Sequence, residues 1–179
     1  MKNRLNTGGA AKKIALVGIA AATIECGKLA LAFLPNVEVV TLLTALYGYA
    51  FGGLGVLAAL VFVCIEPLIW GVNTWVVLYF VYWPLVAVIF CVFGRIKLKN
   101  RWIIAASAVL LTVIFGLLSA FVEIGLFSGY FDRFWYRFGI YYLRGIPFYI
   151  AQIATNAVLF PLLFPLLSKK LSLLRHSFM

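Results

Sequence analysis

Charge is scarce in this sequence: of 179 residues only 11% are Asp, Glu, Lys or Arg, and the acidic ones number five. An ordinary soluble domain carries about 25% charged residues, so a soluble globular enzyme is excluded. The single histidine, His176, falls in the C-terminal tail, which leaves nothing for H-E-x-x-H zinc chemistry or a Ser-His pair inside an apolar segment. Cys26, Cys64 and Cys91 form no C-x-x-C pair, so they read as small hydrophobes rather than a disulfide framework or zinc site. No G-x-x-x-x-G-K-[ST] phosphate loop occurs, and Thr7-Gly8-Gly9-Ala10 does not approach one. No catalytic residue, metal or cofactor is expected, and energy for any active process would have to come from another subunit or from an ion gradient.

What is abundant is hydrocarbon, at 65% of the chain. That composition predicts an all-α integral membrane bundle filling residues 1–179 as one transmembrane domain. A spanning helix takes about 20 residues, and apolar stretches at about 12–34, 37–51, 54–71, 74–94, 101–127 and 146–168 give six spans. Val39 to Ile65 carries no charge, yet Gly48, Gly52, Gly53 and Gly55 favour a hairpin of two short helices over one long one. Lys12-Lys13 before Ile14 imitates a secretory signal, but the apolar run continues past Glu25 and Lys28 to Leu34.

The net charge of +10 follows membrane borders, not a nucleic-acid patch. With six spans and both termini cytoplasmic, eleven basic residues fall inside: Lys2, Arg4, Lys12, Lys13, Arg95, Lys97, Lys99, Arg101, Lys169, Lys170 and Arg175. Only Arg133, Arg137 and Arg144 fall outside. Five spans would break the positive-inside rule, so a multi-pass protein of a cell membrane is expected.

Intramembrane ionisable groups cost about 2.5–3.5 kcal/mol each at mid-bilayer, and here they cluster at one depth. Glu25 and Lys28 on the first span, Glu66 on the third and Glu123 on the fifth all fall in outer halves, as do Glu38, Tyr149, Gln152 and Asn156. Trp75, Tyr79, Tyr82 and Trp83 share one face of the fourth span. The inner halves are almost wholly apolar, which predicts a cavity open outside and closed by an apolar floor. Glu25, Lys28, Glu66, Trp75, Tyr79, Tyr82, Trp83, Glu123, Gln152 and Asn156 are therefore the candidate substrate-binding residues, with Phe115 expected below the site. Mutual neutralisation of Glu25 and Lys28, a capping role for Glu66 and an interfacial belt for Trp75 remain open at this point. Rings opposite carboxylates suit a flat, cationic heteroaromatic ligand; Lys28 and Arg144 would equally meet a carboxylate or phosphate.

Two further segments stand out. Residues 128–145 interleave arginines with Tyr130, Phe131, Phe134, Trp135, Tyr136, Phe138, Tyr141 and Tyr142, reading as an interfacial helix that is either an aromatic belt or a cover over the site. Ala11, Ala15, Gly18 and Ala22 form a small-residue stripe on the first helix, suited to close approach by the protein's own helices or by a partner.

The six spans, the basic Lys12-Lys13 start, the Ala11-Lys12-Lys13-Ile14-Ala15 match to an A-x-x-x-A motif, and a last helix from Gly145-Ile146-Pro147-Phe148 to Asn156 and Pro161 resemble a prokaryotic family. It is the substrate-binding S components of energy-coupling factor (ECF) importers, a class of ABC transporter. The resemblance implies capture of a vitamin or trace nutrient outside the cell, docking through Ala11, Ala15, Gly18 and Ala22 onto a membrane T component with two ATPases, and reorientation in the bilayer. Where several members carry a longer covering loop, this chain has only Pro35-Asn36, so 128–145 becomes the candidate lid. The alternative is a self-sufficient ion-coupled secondary transporter, although no inverted repeat is visible. A ligand-free scaffold would leave the one-sided carboxylates unexplained.

Overall fold

The computed structural model describes residues 7–129 and 131–178, apart from the side chains of Thr7, Gly8, His176 and Ser177. Lys2, Arg4 and Tyr130 lie outside the described residues. Six helices make up the bundle: α1 (Thr7–Ala30), α2 (Val40–Phe51), α3 (Gly53–Trp70), α4 (Trp75–Arg95), α5 (Arg101–Val122) prolonged by a π-helical turn (Glu123–Phe127), and α6 (Phe134–Phe178). No strand occurs among the described residues. Four of the helices, α3, α4, the α5 unit and α6, are long and apolar enough to cross a membrane. The protein is thus an all-helical bundle of membrane-protein character.

Helix ends follow local chemistry. α1 stops at Ala30, short of the expected 34, because Pro35 disfavours helix at the residue before it and Asn36 adopts φ 63°. The uncharged run breaks at Gly52, whose φ of 61° and ψ of −125° suit glycine, so the hairpin reading of this stretch corresponds to the fold. α5 starts at Asn100, whose side chain accepts from the backbone N–H groups of Trp102 at 3.0 Å and Ile103 at 3.4 Å.

α2 lies at the centre, against α1, α3, α4 and α6. Gly48 lets it close on α4, since a Cβ there would stand 2.3 Å from the Ala87 carbonyl oxygen. With 12 residues, α2 is about 18 Å long, short of a hydrocarbon core of about 30 Å. Residues 31–39 therefore continue the path as irregular backbone, which is tolerated at membrane depth where it lines a cavity. This end of the bundle, with the close of α1, α3 and α5 and the start of α2, α4 and α6, is called here the chamber end. The opposite end, with Lys97, Lys99 and Lys169, is the basic end.

The expectation of a separate interfacial helix over 128–145 is corrected. α6 is one helix of 45 residues, about 67 Å long, and the aromatic segment from Phe134 onward is its first third. Phe121 meets Phe131 and Phe134 edge-on, and Phe134 meets Phe131 and Phe138 at a tilt, with ring centroids 5.4–6.0 Å apart, which seats the start of α6 against the end of α5.

Candidate functional site: a chamber above a phenylalanine floor

Two cavities meet at Lys28, Glu38 and Tyr79. The deeper one, about 80 Å³, is walled by rings of Phe62, Tyr79, Tyr82, Trp83 and Phe115 and by polar side chains of Thr41, Thr112 and Gln152. The outer one, about 490 Å³, lies beneath residues 31–38 and between Trp70 and Trp75. The short α2 creates this space, and the linker that replaces its missing turns carries Glu38 into it.

Glu38 organises the deeper cavity. Its carboxylate accepts from the Thr41 backbone N–H at 2.9 Å and from the Thr41 hydroxyl at 2.6 Å, an anion favourably placed at a helix start. Asn156, reaching across from α6, donates its amide to Glu38 at 3.2 Å and to Thr112 Oγ1 at 3.0 Å. Tyr82 packs against Trp83 and Phe115, both at 4.8 Å between centroids.

Lys28 stands between the two cavities. Its ammonium pairs with Glu66, which is fully buried, and lies 5.1, 5.8 and 5.6 Å from the ring centroids of Trp70, Trp75 and Tyr79. An aromatic cage of this kind is a cation site. Glu25, 7% exposed, adjoins the Glu66 carboxyl. Glu66 pairs with Lys28, Glu25 adjoins Glu66, and Glu38 lines both cavities with Lys28, so three carboxyls and one ammonium belong to this region.

Several buried polar atoms here have no hydrogen-bond partner among the described residues: Trp83 Nε1, Gln152 Oε1, Asn156 Oδ1, Thr44 Oγ1, Glu66 Oε1 and both Glu25 oxygens. A buried donor or acceptor left unmade costs about 1–3 kcal/mol. Of these, Trp83 Nε1 and Gln152 Oε1 belong to the lining of the deeper cavity, where a polar molecule would meet them, and the others stand behind it. Below it the walls are hydrocarbon, with Phe90, Phe160 and Phe164 stacked at 5.5–5.7 Å and almost wholly buried.

Of the residues singled out in the sequence, Lys28, Tyr79, Tyr82, Trp83 and Gln152 line the deeper cavity. Glu25, Glu66 and Asn156 stand one contact behind it, and Trp75 lines the outer one. Glu123 lies apart. It accepts from the Ser128 hydroxyl at 2.7 Å and lines a separate cavity of about 50 Å³ with Ser119 and Tyr141. Arg144 is exposed, and neither main cavity includes it or any residue of 128–145. The linker 31–38, not that aromatic segment, covers the outer cavity. Phe115, expected below the site, is in its wall; its ring leans up against Tyr82.

Glu38, Thr41, Thr112 and Trp70 were missed as site residues. Only Glu38 left a signal, as a carboxylate at the start of a span. Among the described residues no group of three or more His, Cys, Asp or Glu gathers where it could hold a metal. Cys26 and Cys64 are exposed and Cys91 is buried, all as free thiols.

The small-residue stripe faces outward. Ala11, Ala15, Gly18 and Ala22 are all exposed, and a Cβ at Gly18 would meet nothing within 4 Å. It therefore does not pack on the protein's own helices. Comparison with protein-family models, characterised proteins and solved structures yields no match.

Proposed function

We propose that this protein is the membrane-embedded substrate-binding subunit of a prokaryotic nutrient importer of the ECF type, multi-pass in the cell membrane with both termini cytoplasmic. The observation that carries the reading is the chamber itself: buried polar atoms without protein partners, under an open vestibule and over an apolar floor. Binding sites for small molecules span about 300–1,000 Å³ and combine apolar walls with a few convergent polar groups. The vestibule alone reaches that range.

Chemistry narrows the ligand. Three carboxyls against one ammonium favour a cation, and the rings of Tyr79, Tyr82, Trp83 and Phe115 favour a flat heteroaromatic body. Trp83 Nε1 offers a donor and Gln152 Oε1 an acceptor. A cationic vitamin or precursor that inserts its ring beside Trp83 and leaves its polar end in the vestibule meets all of these groups. Lys28 either yields the aromatic cage to the ligand's cation or holds an anionic substituent.

Energy for release inside comes from a T component and two ATPases in this reading. The outward stripe on α1 supplies the docking face. The adjoining carboxyls of Glu25 and Glu66 favour the rival reading, an ion-coupled carrier, because such pairs serve as proton relays.

Native mass spectrometry of the purified protein tests the first part: a bound small cation of heteroaromatic composition is expected. Uptake of that molecule then tests the second. Uptake that persists in cells lacking any such ATPase module, and collapses with the proton gradient, would replace the importer reading with the carrier.

A further inference from the structure

Away from the chamber, the basic end holds two more cavities that share Tyr49, Lys99 and Ser172. One, about 640 Å³, also takes in Lys97 and Arg175. The other, about 520 Å³, adds Lys169 at its rim, and its walls are hydrocarbon from Leu98, Ile104, Phe164 and Leu173. The boundary between them is fixed by hydrogen bonds. The Tyr49 hydroxyl donates to the Leu98 carbonyl at 2.9 Å, and the Ser172 hydroxyl donates to the Ser168 carbonyl at 2.7 Å.

Among the described residues, Lys97, Lys99 and Lys169 have no side-chain carboxylate paired with them. All five acidic residues, Glu25, Glu38, Glu66, Glu123 and Asp132, belong to the chamber end. Trp102 is 63% exposed beside Arg101, whose guanidinium carbon lies 5.0 Å from its ring centroid, and tryptophan of this kind marks headgroup depth. A basic pocket that opens directly into a hydrocarbon groove at that depth matches an amphiphile with an anionic head.

The geometry points to an anionic phospholipid as the occupant, its phosphate among Lys97, Lys99 and Lys169 and one acyl chain along Leu98, Ile104, Phe164 and Leu173. Free phosphate would use the cations and leave the groove empty. A zwitterionic lipid would fill the groove and leave the cations unmatched. Basic pockets between helices are known to hold anionic headgroups, each Lys or Arg near the surface contributing about 1 kcal/mol. The site is independent of the chamber and of its ligand.

Native mass spectrometry of the detergent-purified, delipidated full chain tests this, with phosphatidylglycerol, phosphatidylcholine of matched chains and inorganic phosphate as probes. A single phosphatidylglycerol adduct is expected at a concentration at least about tenfold below that needed for phosphatidylcholine. The triple variant Lys97→Ala, Lys99→Ala, Lys169→Ala should lose the preference, and Ser172→Trp, which blocks the junction from an exposed position, should lose the adduct. If the triple variant does not fold, Lys99→Ala alone should weaken phosphatidylglycerol binding about fivefold. Equal binding of both lipids by the parent protein, or a preference that survives loss of the lysines, overturns the proposal. So does inorganic phosphate that displaces the adduct at comparable concentration, since the occupant is then a soluble anion.

Discussion

Glu38 and Asn156 stand 118 positions apart in the chain and 3.2 Å apart in the fold. The contact ties the irregular linker after α1 to the last helix, directly across the chamber. Because Asn156 also donates to Thr112, one amide holds α6 to two walls. Asn156→Ala should lower the unfolding free energy by about 1–3 kcal/mol. Asn156→Asp, which sets a second carboxylate against Glu38, should lower it further. Thermal unfolding in detergent measures both, and equal melting of all three proteins would show the contact to be idle.

The Lys28–Glu66 pair gives a second stability prediction. Glu66 is fully buried, and removing one partner of a buried pair costs about 3–5 kcal/mol. Lys28→Met should therefore destabilise by that amount, and adding Glu66→Gln should restore most of it. A double variant no more stable than the single one would mean that Lys28 acts through its aromatic cage rather than through Glu66.

For the ligand, the informative change at Trp83 is to Phe, which keeps a ring and deletes an unpartnered N–H. Loss of one such hydrogen bond, about 0.5–1.5 kcal/mol, corresponds to roughly two- to tenfold weaker binding. Phe115→Ala should weaken binding by a comparable factor through lost stacking. Glu123→Gln, in its separate cavity, should leave affinity unchanged. Calorimetric titration with the co-purified molecule checks all three variants. A tenfold loss at Glu123 with none at Trp83 would move the site away from the chamber.

Docking is tested on α1. Gly18 has open space around it, so Gly18→Trp should fold and bind ligand as the parent does, yet abolish ATP-dependent uptake by blocking helix approach. Undiminished uptake by both Gly18→Trp and Ala15→Trp removes α1 as the docking face.

Orientation follows from eleven basic residues assigned inside against three outside. In a background lacking Cys26, Cys64 and Cys91, a cysteine at Lys97 or Lys99 should resist an impermeant thiol reagent in intact cells, and one at Ser128 should react. Labelling at 97 or 99 from outside inverts the bundle.

The helical class, the break near Gly52 and part of the deeper cavity's lining, Lys28, Tyr79, Tyr82, Trp83 and Gln152, were legible because they rest on local properties: hydrophobic run length, glycine and the depth of polar residues along a span. Depth alone grouped Glu123 with Glu66, although Glu66 backs the deeper cavity through Lys28 and Glu123 lines a separate one, and it set Phe115 too low. Neither error is visible one helix at a time, since lateral direction depends on which faces meet. Two short helices were expected here, but the first starts at Val40 rather than 37, because hydrophobicity does not distinguish helix from the irregular linker that carries Glu38. The continuity of α6 was hidden by Pro147, which reads as a helix start although it lies inside the helix on its exposed side.

The brevity of α2 also decides where a membrane voltage is felt. A water-accessible chamber is nearly equipotential with the solution it opens to, so the voltage drop concentrates across the sealed part, at most about 18 Å along α2 rather than about 30 Å. The local field is then at least about 1.7-fold steeper than across an intact bilayer. A cation resting beside Trp83 has crossed little of that drop. A cation driven on through the sealed part, past the rings of Phe90, Phe160 and Phe164, would exchange nearly all of its electrical work there, about 2.3 kcal/mol per charge for each 100 mV.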